Sequence, residues 1–109
     1  MTALGPQLRE LRQARGLTIR AVADEVGVHF TTISKFENGH ERPGEQTIRA
    51  LAAVLIADAE GLLALAGKVP AELAQRAARD PQFALLLRRL PALPAATLDR
   101  IYQLAGVSA

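Results

Sequence analysis

Between Ile19 and Phe36 the chain reads IRAVADEVGVHFTTISKF, and no other stretch limits the fold so tightly. Apolar residues recur at helical spacing on both sides of a glycine: Val22, Ala23 and Val26 before it, Ile33 and Phe36 after it. Helices of about two turns do not persist alone in water, so the two must share a core. Gly27 supplies the positive φ that a sharp turn between them needs. Val28 plugs that turn into the core, and Ala23 is small where the following helix must cross closely. Together these spacings specify two short helices meeting steeply through a turn of three or four residues.

The flanking sequence extends the pattern into an all-α chain. Leu8, Leu11 and Ala14 mark one face of a first helix, with Pro6 in its first turn and Gly16 at its end. Thr18 is placed to cap the second helix, although Ala21 stands where a capping box wants Glu. The third helix runs from Phe30 to about Glu37, stopped by Asn38-Gly39. A fourth carries Ile48, Leu51, Ala52 and Leu55, and a fifth, from Ala59 to about Ala66, carries Leu62, Leu63 and Leu65 before Gly67. Residues 1–67 are therefore expected to form one domain and residues 68–109 a helical extension. In that extension Pro70 opens a helix to about Arg79, and Asp80-Pro81 reads as a cap followed by an N1 proline. Phe83 to Leu90 continues the helix that Asp80-Pro81 opens, and Pro91 and Pro94 break it. A last helix spans about Ala96 to Ala105.

Charge alone decides little. The net charge is only +2, and residues 1–67 hold seven Lys and Arg against eight Asp and Glu. A nucleic-acid reading must rest on pattern rather than on bulk charge. The chain has no cysteine, which removes disulfides and thiolate metal sites. His29 and His40 have no third ligand spaced to join them, so no metal is expected, nor any other cofactor. No nucleophile–base pair, glycine-rich phosphate loop or paired carboxylates stand out, so no enzyme is expected. The start lacks a signal-like segment and no apolar run reaches the roughly 20 residues of a membrane span. The expectation is a cytoplasmic protein without a membrane partner.

The segment LRELRQARGLTIRAVADEVGVHFTTISKFENGHERP resembles the Cro/lambda-repressor-type (Xre-type) helix-turn-helix family, matched from about Leu8 to Gly67. Its marks are LRQARGLT, the small Ala23, the Gly27-Val28 turn, Ile33 to Glu37, and Asn38-Gly39 followed by Arg42-Pro43. The resemblance implies a five-helix, lambda-repressor-like domain that binds double-stranded DNA as a homodimer, its third helix in the major groove. It places Phe30, Thr31 and Lys35 toward base edges. Thr18 and Ile19, at the start of the second helix, and Asn38, His40 and Arg42, in the following loop, fall on positions that grip the phosphate backbone. Arg12 and Glu37 match a structural ion pair. Two departures stand out: Phe30 replaces a usual polar residue, so it touches a thymine methyl or covers the helix start. Ile19 replaces a usual Gln and removes a side-chain contact. His29, where Ser or Thr normally caps, either caps or faces DNA.

The extension is too apolar for a surface appendage. Phe83, Leu86, Leu87, Leu90 and Ile101 are assigned to a dimer interface, the alternative being a single monomeric core. A dimeric repressor is the leading functional expectation. The alternatives are an antitoxin-type repressor that also binds a toxin protein, and an interaction module that has lost DNA binding.

Overall fold

The computed structural model describes residues 3–107. Eight α-helices follow one another, and no strand occurs among the described residues. The chain divides into two compact units, Met1–Val69 and Pro70–Ala109.

The first unit contains α1 (Leu4–Ala14), α2 (Ile19–Val26), α3 (Phe30–Glu37), α4 (Glu45–Leu55) and α5 (Ala59–Leu65). Its core is aliphatic apart from Phe36, and Ile33, Ile48, Leu51 and Val22 are its largest fully enclosed side chains. Ala23 is buried at the centre of α2, where its small size admits α3. Val26 and Val28 pack on this core from its edge, half-buried rather than enclosed. Ala14 departs from expectation. It is exposed, because six residues of helix carry it well round from Leu8, at roughly 100° per residue.

Local chemistry accounts for most helix ends. The Thr18 hydroxyl accepts the Ala21 N–H at 3.0 Å, and Asp58 accepts the Gly61 N–H at 3.2 Å. Gly27 turns the chain out of α2 with φ of 85°. His29 resolves to a cap: its Nδ1 accepts the Thr31 N–H at 3.2 Å.

Two features have no local sequence signal. Ile56 ends α4 in the left-handed region at φ 52° with its side chain 76% exposed. That conformation costs a β-branched residue about 1–2 kcal/mol, and it lets the Ala57 N–H close onto the Ala52 carbonyl at 2.9 Å. Gly5, in the first turn of α1, is buried against the end of α3. A Cβ there would lie 2.5 Å from the Glu37 carbonyl oxygen and 2.8 Å from that of Phe36.

The second unit contains α6 (Glu72–Arg79), α7 (Pro81–Arg89), a 3-10 turn at Leu90–Ala92 and α8 (Ala95–Ala105). Asp80 caps α7, its Oδ1 accepting the Phe83 N–H at 3.1 Å, with Pro81 at N1. Pro70 does not open α6. Its carbonyl accepts the Leu73 N–H at 3.2 Å, making a turn from which the helix begins at Glu72. No residue of α6, α7 or α8 is fully buried. Among the described residues no helix is long and apolar enough to cross a membrane.

Gly5→Ala is expected to destabilise the first unit by about 1–3 kcal/mol, because the clash is with backbone and no side chain can yield. Urea denaturation followed by helical circular dichroism checks this, with a lowered midpoint and an unchanged slope as the expected result.

Candidate nucleic-acid interface

The start of α2 and the exposed side of α3 form a shallow groove lined by Arg12, Thr18, Ile19, Arg20, Phe30, Thr31, Ser34 and Lys35. Its walls follow from the crossing at Ala23, which sets the two helices close enough for side chains of both to share one surface. Thr31 and Lys35, one turn apart on α3, are both exposed. Phe30 is half-buried and packs on the core. It thus covers the helix start while its ring also forms part of the groove.

The ring of Phe30 is occupied on the groove side. The Arg20 guanidinium carbon lies 3.9 Å from its centroid, a cation–π distance. The His29 ring centroid is 4.5 Å away, tilted by 33°. A His29 Nδ1 that accepts the Thr31 N–H carries no proton, so the Thr31 hydroxyl, 2.8 Å away, donates to the same nitrogen. The oxygen of Thr31 keeps its acceptor capacity.

The groove is held in place by a buried carboxylate. The Glu37 side chain is only 3% exposed, and the Arg12 guanidinium donates to both of its oxygens, Nε to Oε2 at 2.7 Å and an Nη to Oε1 at 3.0 Å. The remaining Nη of Arg12 donates to the Leu17 carbonyl at 2.9 Å. One arginine thereby ties α1, the loop before α2 and the end of α3. The hydrogen bonds it donates to Glu37 hold the Arg12 guanidinium more firmly protonated than usual. Partial burial opposes that effect and the charge attraction of Glu37 reinforces it. The expected ion pair is present, and Arg9 joins it, its Nε 3.4 Å from Glu37 Oε1.

Of the remaining expected positions, Thr18 and Ile19 lie in the groove, the Thr18 hydroxyl being committed to its cap. Asn38, His40 and Arg42 are exposed but do not line it. The Asn38 amide is engaged at both ends, its oxygen accepting from Arg9 at 2.6 Å and its nitrogen donating to Ser34 at 3.3 Å. Arg42 borders a separate depression with Gly5, Phe36 and Pro43. Sequence reasoning missed Arg20, Ser34 and Arg9. Arg9 was within reach, since it precedes Arg12 by one helical turn. Arg20 was not, because only the helix crossing brings it to Phe30.

A family model described as a helix-turn-helix domain matches residues 3–65. The chain belongs to the Xre-type helix-turn-helix family. It is 49% identical over 72 residues to a Bacillus subtilis (strain 168) protein named as the uncharacterized HTH-type transcriptional regulator RghRB, covering 65% of this chain and 52% of that protein. It is 41% identical over 70 residues to the HTH-type transcriptional repressor RghR of the same strain, covering 63% and 52%. The chain thus spans about half the length of the curated relatives it matches. Among solved structures, a complex of the SinR and SinI proteins superposes with a TM-score of 0.53 at 18% identity over 94% of each chain, a likeness of fold.

Glu37→Ala is expected to cost about 3–5 kcal/mol, since it strands the half-enclosed Arg12 without its partner. Arg9→Ala, removing a cation that is 46% exposed, is expected to cost no more than about 1 kcal/mol. Parallel urea titrations of the two variants separate these contributions.

Proposed function

We propose that this chain is a sequence-specific DNA-binding transcriptional regulator that acts as a dimeric repressor with α3 in the major groove. The groove carries this reading. It sets Thr31 and Lys35 exposed on the face of α3 beside the start of α2, on a scaffold whose relatives are named as transcriptional regulators. Lys35 has the donors to read guanine, and the Thr31 oxygen is free to accept from a base amino group. Thr18 and Ile19, through the backbone at the start of α2, and His40 and Arg42, from the loop after α3, supply phosphate contacts. Asn38 contributes less directly, since its amide already joins Arg9 to Ser34.

Two half-site readers need a fixed spacing, about one helical turn of DNA or a multiple of it. The second unit supports a role in setting it. Leu85 and Leu86 are each 48% exposed, Phe83, Leu87 and Leu90 on the same stretch are half-buried, and so is Ile101 on α8. The Phe83 ring is covered by Arg76, whose guanidinium carbon lies 4.3 Å from its centroid, so Leu86 rather than Phe83 offers the more open contact. A homodimer interface on α7 uses this surface. That the SinR fold occurs in a complex with another protein, SinI, is consistent with a protein partner such as a toxin as the competing use.

Fluorescence anisotropy with duplex DNA from upstream of its own coding region, against a scrambled duplex at two salt concentrations, tests the DNA reading. Tight, salt-dependent binding that falls about tenfold or more in Lys35→Ala and Thr31→Ala is the expected outcome. Binding no better than to scrambled DNA, with capture of a toxin-like partner instead, favours the interaction module.

Leu86→Asp tests the dimer. Sedimentation equilibrium is expected to move from dimer to monomer with helicity unchanged, and a wild-type monomer overturns the assignment.

A further inference from the structure

We infer that Arg20 and Phe30 act as one DNA-contacting unit, in which the Phe30 ring positions the Arg20 guanidinium to donate to a pair of acceptors on DNA. This rests on the DNA-binding reading of the groove and adds to it a specificity- and affinity-determining residue outside α3.

Arg20 is exposed and lines the same groove as Thr31 and Lys35. Among the described residues its guanidinium makes no ion pair, although the exposed Asp24 stands one turn further along α2. Its placement comes instead from the ring, 3.9 Å below the guanidinium carbon. A stacked guanidinium keeps all its N–H donors directed outward in its own plane. Such a planar fork fits two acceptors side by side, as on a phosphate or on the O6/N7 edge of guanine. Stacking also restricts a long, otherwise mobile side chain before DNA arrives, so less ordering remains to be done on binding.

The same pairing accounts for a phenylalanine at the start of α3. Phe30 is anchored from below by the core and held at its side by His29. It is a firm platform between the two helices. Phe30 is therefore a positioning residue and Arg20 the contact.

Duplexes enriched by the wild-type chain from a randomised library serve as the probe, titrated with Arg20→Ala, Arg20→Lys, Phe30→Leu, Phe30→Tyr and the Arg20→Ala/Phe30→Leu double variant. Arg20→Ala is expected to weaken binding about tenfold. Arg20→Lys, which keeps the charge and loses the planar fork, is expected to recover only part of it. Phe30→Leu is expected to remove most of the Arg20 contribution, so that the double variant binds little worse than either single one. Phe30→Tyr, keeping the ring, restores wild-type affinity. A uniform loss across sequences with a salt slope reduced by about 1 identifies phosphate as the acceptor, and an unchanged slope with relaxed preference at one guanine identifies the base. Thermal melts establish that each variant is folded, and Arg20→Lys carries the test where a Phe30 variant is not. Unchanged binding in Arg20→Ala while Lys35→Ala loses affinity overturns this inference and leaves the DNA-binding reading standing. Equal losses from Arg20→Ala with and without Phe30 overturn the positioning role. No DNA binding by the wild type overturns both.

Discussion

The first unit depends on one enclosed carboxylate. Glu37 lies at the last position of α3, almost completely removed from solvent, and is gripped by Arg12 through two short hydrogen bonds. A buried charge without a partner would be prohibitive, so the structure can place Glu37 there only if α1 brings its guanidinium to the same point. That requirement fixes the position of α1 relative to the end of α3. Gly5 then allows the start of α1 to approach the carbonyls of Phe36 and Glu37 more closely than any side chain would permit. The remaining donor of Arg12 reaches the Leu17 carbonyl, just before the cap of α2. The groove between α2 and α3 thus has its geometry set from behind, by a polar interaction as much as by the apolar core.

This arrangement separates the side chains that hold the scaffold from those left at its surface. Arg9 and Arg12 face the carboxylate on the inner side, and Asn38 is drawn into the same network. Arg20 and Lys35 stand on the outer side, one placed by an aromatic ring and one left exposed on α3. A unit with almost balanced charge therefore presents a cationic surface where its two helices meet. Net charge could not reveal this, because Arg9 and Arg12 are engaged by Glu37. Local placement of charge, rather than its sum, governs the field that a polyanion meets.

The helical plan was largely legible because its signals are local. Thr18, Asp58 and Asp80 each accept an N–H three residues onward, and Gly27, Gly67 and Gly106 take up positive φ where helices stop. Such bonds need only the nearest neighbours in the chain. Pro70 and Ala14 misled for related reasons: a proline allows a helix start without compelling one, and an alanine at the end of a periodic run has too little surface to direct the helix. Ile56 gave no warning at all, since its left-handed conformation is imposed by the short connection from α4 to α5 against the preference of its own side chain.

For the candidate site, the sequence by itself determined which helices exist, where Ala23 and Gly27 allow them to cross, and which side chains of α3 cannot be in the core. Those properties follow from hydrophobic period and from backbone bonds closed within a few residues. Only the tertiary structure decided that Gly5 must lack a side chain against the Glu37 carbonyl, that Asn38 would accept from Arg9, and that Arg20 would lie on Phe30. Each of these pairs residues far apart in the chain, between ten and more than thirty positions. Nothing in their local spacing encodes the meeting, because it is the packing of whole helices that brings them within a few ångströms.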